Sequence, residues 1–206
     1  MNPLPSPILV ITDRRQCADT LEERAVALFA GGCRFLSLRE KDMEPHERLA
    51  LLRRLSALGR MFGATVGVHG DIGAAQACQA ALHLPADGDP AAARRLLGSD
   101  ALIGQSCHSR AEMLAAAAGG ADYVTMGPVF ASASKPGYAP AQDLAATIAD
   151  ISVPVLALGG ITLDNLPLLP AGFDGIAIMG AAMTAAAPQD WFGRLKAGFE
   201  NQAGFS

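Results

Sequence analysis

Two apolar runs of the chain end in side chains able to hold an anion or move a proton. Ala101-Leu102-Ile103-Gly104 leads into Gln105-Ser106-Cys107-His108, and Tyr123-Val124-Thr125-Met126 leads into Gly127-Pro128-Val129-Phe130, then Ser132, Ser134 and Lys135. An imidazole titrates near neutral pH, so His108 is the natural proton carrier of this set. The hydroxyls of Ser106, Ser132 and Ser134, with the Lys135 ammonium, suit an anionic ligand. A third run, ending at Leu38, continues as Arg39-Glu40-Lys41. Two cations at alternate positions can grip a polyphosphate, Arg through its bidentate fork and Lys as a point charge; a solvated loop with an internal Glu40 ion pair is the alternative.

Late in the chain, Val155–Leu158 precedes Gly159-Gly160-Ile161-Thr162, and Gly175–Met179 precedes Gly180-Ala181-Ala182. Residues without side chains let backbone N–H groups approach a phosphate at a helix N-terminus, although tight turns alone would also use them. Thr162 reads as the N-cap of the following helix. His69, after the third apolar run, stands where it could touch a phosphate or carboxylate. His46 at a helix start reads as exposed, and His83 within a strand as a satisfied inner residue. Cys107 beside His108 invites a nucleophilic role, but nothing else in the chain supports a Cys-His enzyme.

Groups of this kind, gathered where strands run into helices, require a parallel α/β scaffold that brings the strand ends to one rim. The sequence carries a repeated joint in which an Ala-rich helical stretch ends at small residues and a short apolar strand follows, as in Gly31-Gly32-Cys33-Arg34-Phe35 and Gly119-Gly120-Ala121-Asp122-Tyr123. Glycine just past a helix end supplies the left-handed residue that reverses the chain. Strands are predicted near Ile8–Thr12, Phe35–Leu38, Thr65–Val68, Ala81–Leu84, Ala101–Gly104, Tyr123–Met126, Val155–Leu158 and Gly175–Met179. Helices include Thr20–Ala30, Pro45–Phe62 and a segment from Ser109 to Ala118. Eight strands alternating with eight helices favour a single (β/α)8 TIM barrel, spanning 1–206 as one domain, over a doubly wound sheet. The stretch 131–140 reads as a rim loop.

At 206 residues, half of them hydrophobic and 17% charged, the chain suits a sheet covered on both faces. A net charge of -4 with a pI near 5.5 argues against a nucleic-acid surface. No apolar run of about 18 residues and no basic, apolar leader is visible, so no membrane partner and a cytoplasmic location are expected. The four cysteines show neither disulfide nor zinc spacing.

The ordered set Ser37-Leu38-Arg39-Glu40-Lys41, Gly104-Gln105-Ser106-Cys107-His108, Gly120-Ala121-Asp122-Tyr123-Val124, Gly127-Pro128-Val129-Phe130, Gly159-Gly160-Ile161-Thr162 and Asp174-Gly175-Ile176-Ala177 resembles the thiamine phosphate synthase/TenI superfamily over nearly the whole chain. The resemblance implies a small phosphate-binding barrel of thiamine biosynthesis. In its synthases an aminopyrimidine methyl pyrophosphate loses pyrophosphate, and the resulting cation is captured by a thiazole phosphate nitrogen while Mg²⁺ holds the pyrophosphate. Arg39, Lys41 and Lys135 match that family's pyrophosphate-binding cations, and Ser132 and Ser134 stand where it usually has threonines. The third strand departs: a synthase ends it with Val-Asn-Asp, whereas this chain has Val68-His69-Gly70-Asp71. Glycine cannot ligate a metal, and Asp71 lies one residue late. After strand four, His83-Leu84-Pro85 looks more like the TenI branch, although Asp87 or Asp89 could restore a cation site.

The TenI branch includes thiazole tautomerases, which aromatise a thiazole carboxylate phosphate by moving a proton and need no metal. On that resemblance His108 is the catalytic residue. Arg39, Lys41, His69, Ser106, Ser132, Ser134, Lys135, Gly159, Gly160 and Gly180 bind the phosphorylated thiazole substrate, and the 131–140 loop closes over it. No cofactor is then expected, with Mg²⁺ required only for a divergent synthase. A non-catalytic thiazole or thiamine phosphate-binding regulator is the third possibility, and a homo-oligomer is compatible with any of them.

Overall fold

The computed structural model of the protein describes residues 1–131 and 143–203. Its strands are β1 (Ile8–Ile11), β2 (Phe35–Leu38), β3 (Thr65–His69), β4 (Ala81–Leu84), β5 (Ile103–Cys107), β6 (Tyr123–Met126), β7 (Val155–Leu158) and β8 (Gly175–Ile178). All neighbouring pairs are parallel, and β1 pairs with both β2 and β8, so the sheet closes as an eight-stranded barrel. Closure leaves no strand edge unpaired. This is the (β/α)8 architecture expected from the alternating pattern.

Helices α1 (Leu21–Ala30), α2 (Pro45–Met61), α3 (Ile72–Cys78), α4 (Pro90–Leu97), α5 (Arg110–Ala118), α6 (Leu144–Ile148), α7 (Gly180–Thr184) and α8 (Pro188–Ala203) surround it. Their start points are chemically marked. Thr20 and Glu23 form a reciprocal capping box on α1, while Asp71, Asp89 and Ser109 each accept an amide of the first turn of α3, α4 and α5.

Strand alternation divides the apolar residues into two sets. Val10, Leu36, Val68, Leu82, Ile103, Val124 and Ile176 face outward and are buried under the helices, whereas Leu9, Phe35, Ala81, Tyr123, Leu156 and Ala177 fill the barrel interior. Each fully buried Leu, Ile or Phe contributes about 1.5–3 kcal/mol. The interior plug supports the rim from below, so residues two positions further along each strand face the open end.

Two boundaries differ from the sequence expectation. The fifth strand runs Ile103–Cys107 rather than Ala101–Gly104, because Gln105, Ser106 and Cys107 pair with Val124, Thr125 and Met126 of β6. The polar residues are tolerated there: Ser106 faces the cavity, and the Gln105 amide donates to the carbonyls of Pro85, Ala86 and Gly88 at 2.9–3.3 Å. In the seventh crossover, Thr162 and Asn165 do exchange capping hydrogen bonds, but only a 3-10 turn at Leu166–Leu168 follows. Pro167 and Pro170 remove the amide donors that an α-helix would need. The remaining predicted elements agree with the structure to within about one residue.

Candidate active site

A cavity of about 670 Å³ opens at the C-terminal ends of the strands. Arg39, Lys41, His69, Ser106, His108, Gly159, Gly160 and Gly180 all line it. Ser132, Ser134 and Lys135 lie outside the described residues, as does nearly all of the 131–140 loop.

The cations reach the cavity because Glu40 does not pair with them. Glu40 is 2% exposed and accepts from the Thr12 hydroxyl at 2.7 Å, the Arg14 amide at 3.1 Å and the Arg14 guanidinium at 2.8 Å. Thr12 Oγ1 in turn accepts the Arg39 amide at 2.9 Å. This buried clamp ties the end of β2 to the end of β1 and sends the flanking side chains of Arg39 and Lys41 inward. The sequence alternative, a solvated loop with an internal Glu40 ion pair, does not hold: Glu40 is buried and its cation is Arg14 of the neighbouring loop.

His69, at the end of β3, sits beside these charges. Burial, with repulsion from Arg39 and Lys41, lowers its pKa to about 4, so it is neutral at pH 7. Its ring lies 5.0 Å from that of His83, and its Nδ1 is buried with no hydrogen-bond partner among the described residues. His83 contacts Tyr123 and Ser106 on its two ring nitrogens, at 3.0 and 2.9 Å. The sequence reading treated His83 as an inner residue and missed this connection to Ser106. Strand phase was the available signal, since His83 and Gly104 pair across β4 and β5 and Ser106 follows two residues on.

His108 Nδ1 lies 2.8 Å from the Gly127 carbonyl, and its amide donates to Glu112 at 2.7 Å. A carbonyl only accepts, so Nδ1 carries a proton at this contact. Cys107 points the other way, into the helix-covered layer, where burial pushes its thiol up to about 12. It is not a nucleophile of this cavity.

Gly159 and Gly160 have φ of +104° and +67°, and a side chain on either would collide with the 128–131 segment. The glycines thus serve close packing as well as lining the cavity. The Asn165 amide donates to the Gly160 carbonyl at 2.7 Å and holds the turn. Gly180 opens α7 on the neighbouring strand.

The residues do not fit a protein-held Mg²⁺. Gly70 has no side-chain ligand atom and adopts φ +72°. The Asp71 carboxylate is committed to the Ala74 amide at 2.9 Å and the Arg48 guanidinium at 2.7 Å, and Asp89 to the Ala92 amide. Asp87 is exposed, and among the described residues no group of three His, Cys, Asp or Glu side chains could hold a metal ion. No helix among the described residues is long and apolar enough to cross a membrane.

A closed parallel barrel whose rim cavity carries two cations, two histidines, a serine and glycine turns defines a (β/α)8-barrel enzyme with its site at the C-terminal face. Residues 8–182 match the family model described as thiamine monophosphate synthase, and the chain belongs to that family. It is 42% identical over 191 residues to a putative thiamine-phosphate synthase of Geobacter sulfurreducens, covering 89% of each chain. It is 38% identical to a thiamine-phosphate synthase of Marinobacter nauticus, covering 92% of this chain and 88% of that one. The structure resembles a thiamine phosphate pyrophosphorylase from Pyrococcus furiosus with a TM-score of 0.84 and 28% identity, covering 94% of this chain and 95% of the other. The relatives place the protein in thiamine biosynthesis and favour the transferase over the tautomerase expected from the third and fourth strands.

Proposed function

We propose that the protein joins an aminopyrimidine methyl pyrophosphate to a thiazole phosphate. The methylene carbon–oxygen bond breaks with its electron pair leaving on pyrophosphate, and the thiazole nitrogen lone pair forms the new carbon–nitrogen bond. The products are thiamine phosphate and pyrophosphate, and no proton need move. The single observation that carries this reading is that Arg39 and Lys41 share one cavity with the glycine turns at 159–160 and 180. A two-substrate reaction has two phosphorylated groups to hold, one at each set; an isomerase has one.

Arg39 and Lys41 then neutralise the charge that builds on the departing pyrophosphate. Neutral His69 adds no charge repulsion to them. The glycine turns bring backbone amides toward the thiazole phosphate. Because the protein's own donors do not fit Mg²⁺, no step is assigned to a bound ion. The test is a coupling assay with both precursors, run with Mg²⁺ and with chelator. Thiamine phosphate formed from the two supports the proposal.

One observation favours a second reading. The missing side-chain ligand at Gly70 and the committed Asp71, beside a cavity-lining His108 whose Nδ1 is tied to the Gly127 carbonyl, suit a proton-moving thiazole tautomerase. Conversion of the thiazole carboxylate phosphate tautomer, with no coupled product in the first assay, would replace the transferase with the isomerase.

A further inference from the structure

Given the proposed phosphorylated substrates, we infer that Tyr123 and His83 form a one-way hydrogen-bond chain that turns the Ser106 hydroxyl into an obligate donor toward a phosphate or pyrophosphate oxygen. Both positioning residues are 1% exposed. His83 Nδ1 lies 3.0 Å from Tyr123 Oη, and Nε2 lies 2.9 Å from Ser106 Oγ. Burial keeps His83 neutral and Tyr123 protonated, so the ring has a single N–H to share between two oxygens.

Two arrangements satisfy the distances. If Nδ1–H donated to Tyr123, the tyrosine O–H would need another acceptor, and among the described residues it has none besides His83. A buried unspent donor is strongly disfavoured. In the other arrangement Tyr123 O–H donates to Nδ1, Nε2–H donates to Ser106 Oγ, and every buried proton is used. Ser106 then receives from the protein, and its own hydrogen is left for the cavity it lines. Phosphate oxygens only accept, so they complement that donor, and Lys41 and Arg39 supply the neighbouring charge.

The strands build this chain by register. His83 pairs with Gly104, and Gly104 with Tyr123, across β4, β5 and β6. The Tyr123 ring fills the place of the missing side chain at Gly104, which lets its hydroxyl reach across β5 to His83. The His69 ring, 5.0 Å from His83, flanks the imidazole on the β3 side.

The direct test is ¹⁵N NMR of histidine-labelled protein, with the His83 signals assigned against a His83→Gln spectrum. The expected result is a neutral ring protonated at Nε2; protonation at Nδ1 overturns the chain, whatever reaction the protein performs. A second measurement titrates inorganic pyrophosphate into wild type, Ser106→Ala, Tyr123→Phe and the double variant. Tyr123→Phe keeps the ring beside Gly104 and is expected to weaken binding about 5- to 20-fold, as is Ser106→Ala, with little further loss in the double variant. Wild-type affinity in Tyr123→Phe, with loss only in Ser106→Ala, overturns the positioning role. Failure of the wild type to bind pyrophosphate, with the Nε2 proton observed, overturns the phosphate ligand and the substrate reading while leaving the chain's direction intact.

Discussion

The ring of Tyr123 occupies the space that a side chain at Gly104 would need. The contact is rigid on both sides, since Gly104 lies in a ladder between β4 and β6 and Tyr123 packs edge-on against Phe35 at 5.7 Å. Gly104→Ala therefore overpacks the barrel interior and is expected to lower stability by about 1–3 kcal/mol in denaturant unfolding. Combining it with Tyr123→Leu removes the obstructing ring, so the double variant should lose less than the sum of the two single losses.

Separation of Glu40 from its flanking cations gives a second expectation. With Glu40 spent on Thr12 and Arg14, Arg39 and Lys41 are available to an anion. Arg39→Ala and Lys41→Ala should each weaken inorganic pyrophosphate binding by about 10- to 100-fold in calorimetric titration. The loss should shrink as salt rises. Lys41 is exposed, so its variant should keep wild-type stability to within about 0.5 kcal/mol. Glu40→Gln should instead destabilise the fold, because it removes the charge that three donors converge upon.

Acid stability should follow His69. Its folded pKa of about 4 lies below the ordinary 6.5, so between these values the unfolded chain binds more protons. Stability is then complete above pH 6.5, falls as the pH drops through the window and levels off below about 4. His83, also held neutral by burial, acts in the same direction. His69→Gln removes one of the two contributions and should flatten the slope by about 1–3 kcal/mol over that interval, read from urea midpoints across the pH range. An unchanged slope would mean that His69 titrates normally in the folded protein.

The barrel was legible in the sequence because its signals are local. Apolar tetrads such as Phe35–Leu38 and Tyr123–Met126, closed off by glycine joints, carry their own boundaries. What failed to show was set by pairing between strands. Gln105 and Ser106 look like loop residues until β6 holds them in register, and the seventh crossover looks helical from Thr162 onward until the two prolines act. In the site, the cations, the glycines and His108 could be read as residue types at strand ends. The partner of Glu40 and the route from Tyr123 to Ser106 could not, since both join residues 23 or more positions apart through contacts that only barrel closure creates.

His108 separates the two reactions that a member of this family could perform here. Coupling forms a carbon–nitrogen bond from a lone pair and expels pyrophosphate, so a general base has nothing to remove; in that reaction His108 is a wall of the cavity. Tautomerisation takes a proton from one position of the thiazole substrate and returns one at another, and a positioned base contributes about 10²- to 10⁴-fold to such a step. The hydrogen bond to the Gly127 carbonyl holds a proton on Nδ1, so any basic nitrogen of the ring is Nε2. Asn at this position keeps a donor near the carbonyl while losing the basic nitrogen. His108→Asn is therefore expected to reduce coupling by less than about tenfold while abolishing any tautomerase turnover by 10²-fold or more. Both rates are measured on the same preparation, with thermal unfolding as the check on folding. A loss of coupling as deep as the loss of tautomerisation would assign His108 a direct part in bond formation and would overturn its role as a wall.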